Sequence, residues 1–206
     1  QYEAGISCEE LVLIVDIGGG TSDFSIVRVG PMRAQAADRS GDILANDGIR
    51  LGGTDFDRVL SLTEVMPHLG FGSTTGQGKA VMPKHYYLDL ATWHRINILY
   101  SGRTASDLKA LAQMSDRPDL IARLIKVVAG RHGHALAMAV EAAKIDLSER
   151  EVARLQISAL TGGPNPLVRR DSFETSIAQG LARISGMLTG VLAQAGLTLQ
   201  ALAVTG

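Results

Sequence analysis

The sequence predicts an α/β protein carrying an inserted helical portion, and three observations predict it. A short apolar run, Leu11 to Ile17, is rich in Val and Ile and closes on glycines, as a buried strand does. Four stretches between residues 88 and 147 repeat apolar residues at three- and four-residue intervals, the spacing of amphipathic helices. Beyond them the pattern returns to strand, helix and strand, so strands bracket the helical portion.

In order along the chain, the first strand ends at Gly18-Gly19-Gly20. Ser22 to Val29 then alternates, with Phe24 and Ile26 on one face and Val27 and Val29 on the other, so a tight glycine turn joins two strands. A third strand is expected in Ala34 to Arg39 and a fourth in Ile43 to Leu51, with Asn46-Asp47-Gly48 as a local turn. Gly52 and Gly53 precede T54-D55-F56-D57, where Thr54 is placed to cap a helix and Asp57 to sit in its first turn, a position that favours acidic groups. Residues 70 to 87 have loop composition and no periodicity. Helices are expected over Leu88 to Leu99, Thr104 to Met114, Pro118 to Ala129 and Gly133 to Leu147, with Pro118 acceptable in a first turn. Glu151 to Leu160 reads as a strand, turned by Gly162-Gly163-Pro164-Asn165-Pro166. Asp171 and Glu174 resemble a capping box for a helix running to about Ala195 and stopped by Gly196. Leu199 to Val204 reads as one more buried strand.

At 206 residues and 46% hydrophobic composition the chain has ample material for one generous domain or two modest ones, and it is expected to be soluble. No apolar run approaches the roughly 18 residues of a membrane-spanning helix. Twenty basic and 21 acidic residues are scattered and leave a formal charge of -1, so neither nucleic acid nor a membrane is expected as a partner. The single Cys8 forms no internal disulfide and has no metal-type spacing, which fits a reducing, cytoplasmic compartment. The N-terminus lacks the basic start and apolar core of a signal peptide and also lacks an initiator Met, and we read the stretch as the inside of a longer protein.

The stretch V15-D16-I17-G18-G19-G20-T21-S22-D23-F24 carries the chemistry. A dinucleotide fingerprint needs a helix opening directly after the glycines, but a strand follows and Asp23 falls on the third glycine position. A Walker-type loop fails at G78-K79-A80, because Ser73 replaces the first glycine and Ala80 the metal-binding hydroxyl. A β-hairpin that presents backbone N–H groups to a phosphate fits better: glycine admits the phosphate, Asp16 holds a Mg²⁺ hydration shell or orients a water, and Thr21 donates a hydroxyl. A plain structural hairpin explains the same glycines, and the residues by themselves leave both readings open.

Two further segments bear on that choice. V15-D16-I17-G18-G19-G20-T21-S22-D23 resembles the second phosphate motif of the actin-like ATPases. L51-G52-G53-T54-D55-F56-D57 is similar to the Leu-Gly-Gly-x-Asp-Phe-Asp segment of the DnaK-like heat-shock chaperones, and E141-A142-A143-K144-I145-D146-L147-S148 to their adenosine-binding helix. The order and approximate spacing agree, and the resemblance covers nearly the whole chain except about residues 66 to 130. It implies the second lobe of a nucleotide-binding domain. Residues 1–51 and 171–206 would form a ribonuclease-H-like core subdomain, and 52–170 an inserted, largely helical α+β subdomain. It also implies Gly18, Gly19, Gly20 and Thr21 around the phosphates of ATP or ADP, and Asp16 and Thr21 as the catalytic groups, Asp16 near Mg²⁺ through water. Gly52 and Gly53 would lie at the cleft, and Glu141, Lys144 and Ser148 on the adenosine. The partners implied are the first lobe of the same domain and co-chaperones or nucleotide-exchange factors.

Three departures from the pattern stand out. Ile145 occupies the place of an Arg that stacks on adenine, which removes a cation-π contribution. T92-W93-H94-R95 looks like a divergent, truncated branch without a peptide-binding domain, and V204-T205-G206 stops where a Gly-Ser motif would follow, so a half-site with negligible hydrolysis of its own is expected. The runner-up is a bacterial actin-like filament or scaffold protein, which shares the glycine hairpin but not G53-T54-D55-F56-D57. Elsewhere the residues read structurally. His132 and His134 have a spacing that suits neither one helical face nor a zinc helix, Trp93 beside His94 reads as a packing contact, and Glu141 with Lys144 reads as an exposed helical ion pair worth about 0.2–0.5 kcal/mol.

Overall fold

The computed structural model describes residues 2–198 and shows a mixed α/β chain with small antiparallel sheets. The expected strand over Leu199 to Val204 lies outside the described residues. Two compact units divide the chain: one takes the residues up to Gly53 and those from Ala178 onward, the other Thr54–Ile177.

The first unit is built on a three-stranded sheet in the order β1 (Glu10–Ile17), β2 (Ser22–Val29), β3 (Ile43–Ile49). Its register sets Leu13 opposite Ile26, Val15 opposite Phe24, and Ala45 opposite Ile26. Period-two alternation therefore puts these side chains on one face, where Phe24, Ile26 and Ala45 bury against Val191 and Leu192 of the long helix α8 (Arg170–Gln194). The expectation that β1 is buried is corrected. Leu11, Ile14, Val15 and Ile17 are each 40% exposed or more, because β1 is an outer strand of this sheet among the described residues. The expected strand over Ala34 to Arg39 is also absent. Pro31 opens the short helix α1 (Pro31–Ala34), the Asp38 carboxylate accepts the Ser40 N–H at 2.9 Å, and Arg39 donates to the buried Asp42 at 2.8 Å. Asn46-Asp47-Gly48 makes no turn, since β3 runs straight through it, paired with Ser25, Phe24 and Asp23. A Cβ at Gly48 would displace the exposed Asp23 carboxylate lying over it.

The second unit is largely helical. Its first helix, α2 (Gly53–Leu60), runs on through a π turn over Ser61–Val65 and a 3-10 turn over Met66–Leu69. Thr54 lies inside the first turn rather than capping it. Gly70 ends the run with φ +98, at a point where a Cβ would meet Ile121 at 2.5 Å. Residues 70 to 87 carry more order than their composition suggests. β4 (Thr74–Thr75) pairs with β5 (Ala80–Val81), and the Asp116 carboxylate pins the loop by accepting from the Thr74 hydroxyl at 2.6 Å and the Gln77 and Gly78 N–H groups at 2.9 Å.

The single helix expected over Leu88 to Leu99 is interrupted. Helix α3 (His85–Leu90) stops where Thr92 turns extended (φ -116, ψ 108), and a 3-10 run, Trp93–Tyr100, follows. The Thr92 hydroxyl donates to the Leu88 carbonyl at 2.7 Å and accepts from Arg58 at 3.2 Å, so side-chain bonds compete with the helical ladder there. Helices α4 (Gly102–Met114), α5 (Pro118–Ala129) and α6 (Gly133–Glu149) lie where their spacing puts them, and the Ser101 hydroxyl caps α4 by accepting the Thr104 N–H at 3.2 Å. The expected strand over Glu151 to Leu160 shrinks to β6 (Val152–Arg154), paired with β7 (Leu167–Arg169) across the turn helix α7 (Ser158–Thr161). Asn165 redirects that chain by accepting the Ile157 and Ser158 N–H groups at 2.7 Å. The core runs from Leu60 and Leu69 through Tyr87, Leu124 and Val140 to Phe173 and Ile177. Among the described residues no helix is long and apolar enough to cross a membrane.

Candidate functional site

The candidate residues form two groups, one in each unit. In the sheet unit the β1–β2 hairpin turns through Gly18-Gly19-Gly20-Thr21, and the Gly18 N–H closes it on the Thr21 carbonyl at 2.9 Å. That donor is therefore used inside the hairpin. None of the three glycines is among those in the left-handed region, so positive φ is not the reason for them. The position that cannot carry a side chain is Gly52: the Gly53 N–H donates to the Gly18 carbonyl at 3.0 Å, and a Cβ on the buried Gly52 would lie 2.5 Å from that oxygen and 2.6 Å from the Gly19 carbonyl. The Ser22 hydroxyl, fully buried, ties the same strand end to the Leu51 carbonyl at 2.7 Å. On the outer side a Cβ at Gly20 would meet nothing within 4 Å.

Asp16 stands opposite Asp23 in the hairpin register, on the sheet face away from Phe24, and both are exposed. Like charges paired across antiparallel strands repel, and a divalent cation relieves that repulsion. Among the described residues no three His, Cys, Asp or Glu side chains come together as a metal cage. One or two carboxylates completed by water and phosphate oxygens is the donor set Mg²⁺ takes at nucleotide sites, so Asp16 fits that mode. Thr21, in the turn opposite Gly18, is exposed.

In the helical unit, α6 places Glu141, Lys144 and Ser148 on one side at helical spacing, with Val140, Ala143 and Leu147 buried behind them. Glu141 and Ser148 are exposed, and the Ser148 hydroxyl donates to the Ile145 carbonyl at 2.6 Å. Lys144 is drawn to Asp57 of α2, Nζ to Oδ1 at 2.8 Å, rather than serving only as a surface helical pair. Burial pushes the Asp57 carboxyl up and the nearby Glu141 charge adds to this, while the Lys144 ammonium pulls it down without cancelling the rise. Beside this pair opens a cavity of about 240 Å³, bounded by α2, the end of α3, Trp93 and α6. Trp93 packs edge-on against His134 at 4.8 Å, not against His94.

Sequence reasoning missed the contact of Gly18 with Gly52 and Gly53, the Asp57–Lys144 pair, and the cavity. The first had a signal in two glycine clusters with no turn for the second to make; the second lay in the acidic residue of the L51-to-D57 segment. No protein-family model matches the chain.

Proposed function

We propose that this chain is the ATP-binding second lobe of a DnaK-like molecular chaperone ATPase. The observation that carries the reading is the backbone junction between the glycine hairpin and Gly52-Gly53, with the Gly53 N–H on the Gly18 carbonyl at 3.0 Å. The segment that resembles the second phosphate motif and the one similar to the Leu-Gly-Gly-x-Asp-Phe-Asp stretch are separated in sequence and meet without intervening side chains. Three antiparallel strands with α8 against one face support a ribonuclease-H-like core for the sheet unit.

In this reading the hairpin tip admits phosphate oxygens because no Cβ stands in front of it, and Gly20 and Thr21 direct backbone N–H groups and a hydroxyl at them. Asp16 holds the hydration shell of Mg²⁺, which supplies charge neutralisation on the β- and γ-phosphates. Glu141, Lys144 and Ser148 receive the nucleoside hydroxyls and base edge on α6, and Asp57 holds Lys144 in position. The first lobe supplies the remaining groups, so the chain by itself turns ATP over negligibly.

Isothermal titration of the full-length protein with Mg-ATP tests this, beside Asp16→Asn and Lys144→Met. Saturable binding weakened by both changes, with hydrolysis abolished by Asp16→Asn, is expected. Absence of binding, or hydrolysis unchanged in Asp16→Asn, contradicts the assignment.

A further inference from the structure

We propose that the cavity between α2 and α6 is a binding site for a small organic ammonium ion, an amine carried on one ring or a short alkyl body. It lies wholly within the helical unit and is argued from the cavity's own lining, although it shares Glu141 with the proposed nucleoside contacts. Leu90, Ala91, Ala137 and Val140 give it an apolar interior, while Asp57 and Glu141 bring two carboxylates to it and none of its lining residues is basic. Lys144, at 2.8 Å from Asp57, balances one of those charges and leaves a net negative charge. Trp93, 51% exposed, supplies an indole at the edge of the same cavity, and an indole is the aromatic group that attracts a cation most strongly.

The combination selects by chemistry. An anion is repelled by two carboxylates, and a neutral apolar guest strips water from them without replacing it. An ammonium head with an apolar body satisfies both. At about 240 Å³ the cavity falls below the roughly 300–1,000 Å³ that accommodates drug-sized ligands, so the guest is small.

Trp93 is the only tryptophan in the chain, so its fluorescence reports on this cavity alone. The probes are phenethylamine and its neutral counterpart 2-phenylethanol, titrated at neutral pH and low salt. A saturable Trp93 signal with the amine is expected, with the alcohol roughly tenfold weaker. Glu141→Gln, an exposed change that leaves the fold intact, is expected to weaken the amine severalfold and leave the alcohol unchanged, and Asp57→Asn to do the same where circular dichroism shows it folded. No saturable signal with the amine, equal affinity for amine and alcohol, or an amine affinity unaltered in Glu141→Gln overturns the proposal. None of these outcomes touches phosphate binding at the glycine hairpin, which isothermal titration with Mg-ATP reads separately.

Discussion

The sheet unit and the helical unit bury their apolar residues in different ways. In the helical unit nearly every element sends a side chain into one core, from Leu60 and Leu69 through Tyr87 and Leu124 to Phe173. Among the described residues of the sheet unit, the buried apolar cluster holds only Phe24, Ile26 and Ala45 of the sheet and Val191 and Leu192 of α8, while β1 keeps Ile14, Val15 and Ile17 about half exposed. A small core concentrates stability in few residues, and a large one spreads it. The sheet unit also relies on backbone packing, at Gly18 and Gly19 with Gly52, where the helical unit relies on side chains.

The largest effects follow from that contrast. Phe24→Ala is expected to cost about 3–5 kcal/mol and Leu124→Ala about 2–5 kcal/mol in urea unfolding followed by circular dichroism. A loss in Phe24→Ala well below about 3 kcal/mol breaks the claim that the smaller core concentrates stability in few residues. Next come the glycines. Gly52→Ala forces a methyl group into the Gly18 and Gly19 backbone and is expected to cost about 1–3 kcal/mol and to weaken Mg-ATP, whereas Gly20→Ala, facing open space, leaves stability nearly unchanged and affects only phosphate binding.

A smaller effect belongs to the charged pair of the helical unit. Lys144→Met leaves the Asp57 carboxylate without its closest cation and is expected to cost about 1 kcal/mol at neutral pH. The pH dependence has a definite sign. A carboxyl raised in the folded state takes up a proton there before it does so in the unfolded chain, so the folded state gains stability as pH falls through that raised value. Wild type should therefore gain relative to Asp57→Asn on going from neutral pH down through the carboxylate range. Asp116 has the opposite sign: the Thr74 hydroxyl and then the Gly78 and Gln77 N–H groups hold its carboxyl low, so its contribution is present at neutral pH and lost as pH falls through that lowered value. A difference curve that is flat for both residues contradicts the hydrogen-bond and burial assignments. The smallest effect is on the surface: Arg103→Ala, which removes a 3.9 Å pair with Asp107 on α4, is expected to change stability by no more than about 0.5 kcal/mol.

What the sequence revealed, and what it hid, follows the same division. The β2 strand and the helices α5 and α8 were legible because amphipathic periodicity over eight or more residues is strong. Pro118 and Gly196 marked ends, the latter with φ +70 and the Leu197 N–H closing on the Leu192 carbonyl at 2.8 Å. Ala34 to Arg39 misread as a strand because Arg39 bonds locally to Asp42 and across 36 positions to Glu3, and periodicity carries no trace of such partners. Asn46-Asp47-Gly48 misread as a turn because its composition is that of a turn, while its extended pairing with Ser25, Phe24 and Asp23 is set by the neighbouring strand. At the candidate site the glycines and the α6 residues were legible as motifs, but the Asp57–Lys144 pair joins residues 87 positions apart and only packing reveals it.

The proposal assigns the phosphates to the glycine hairpin and the nucleoside to α6. Amide-resolved NMR during a Mg-ATP titration of the full-length protein observes both at once. The account predicts saturable shifts at the Gly20 and Thr21 amides and, over the same concentrations, at Glu141 to Ser148, with the Gly20 and Thr21 shifts lost in Gly52→Ala. Mg-ATP binding that leaves the Gly20 and Thr21 amides unmoved would contradict it.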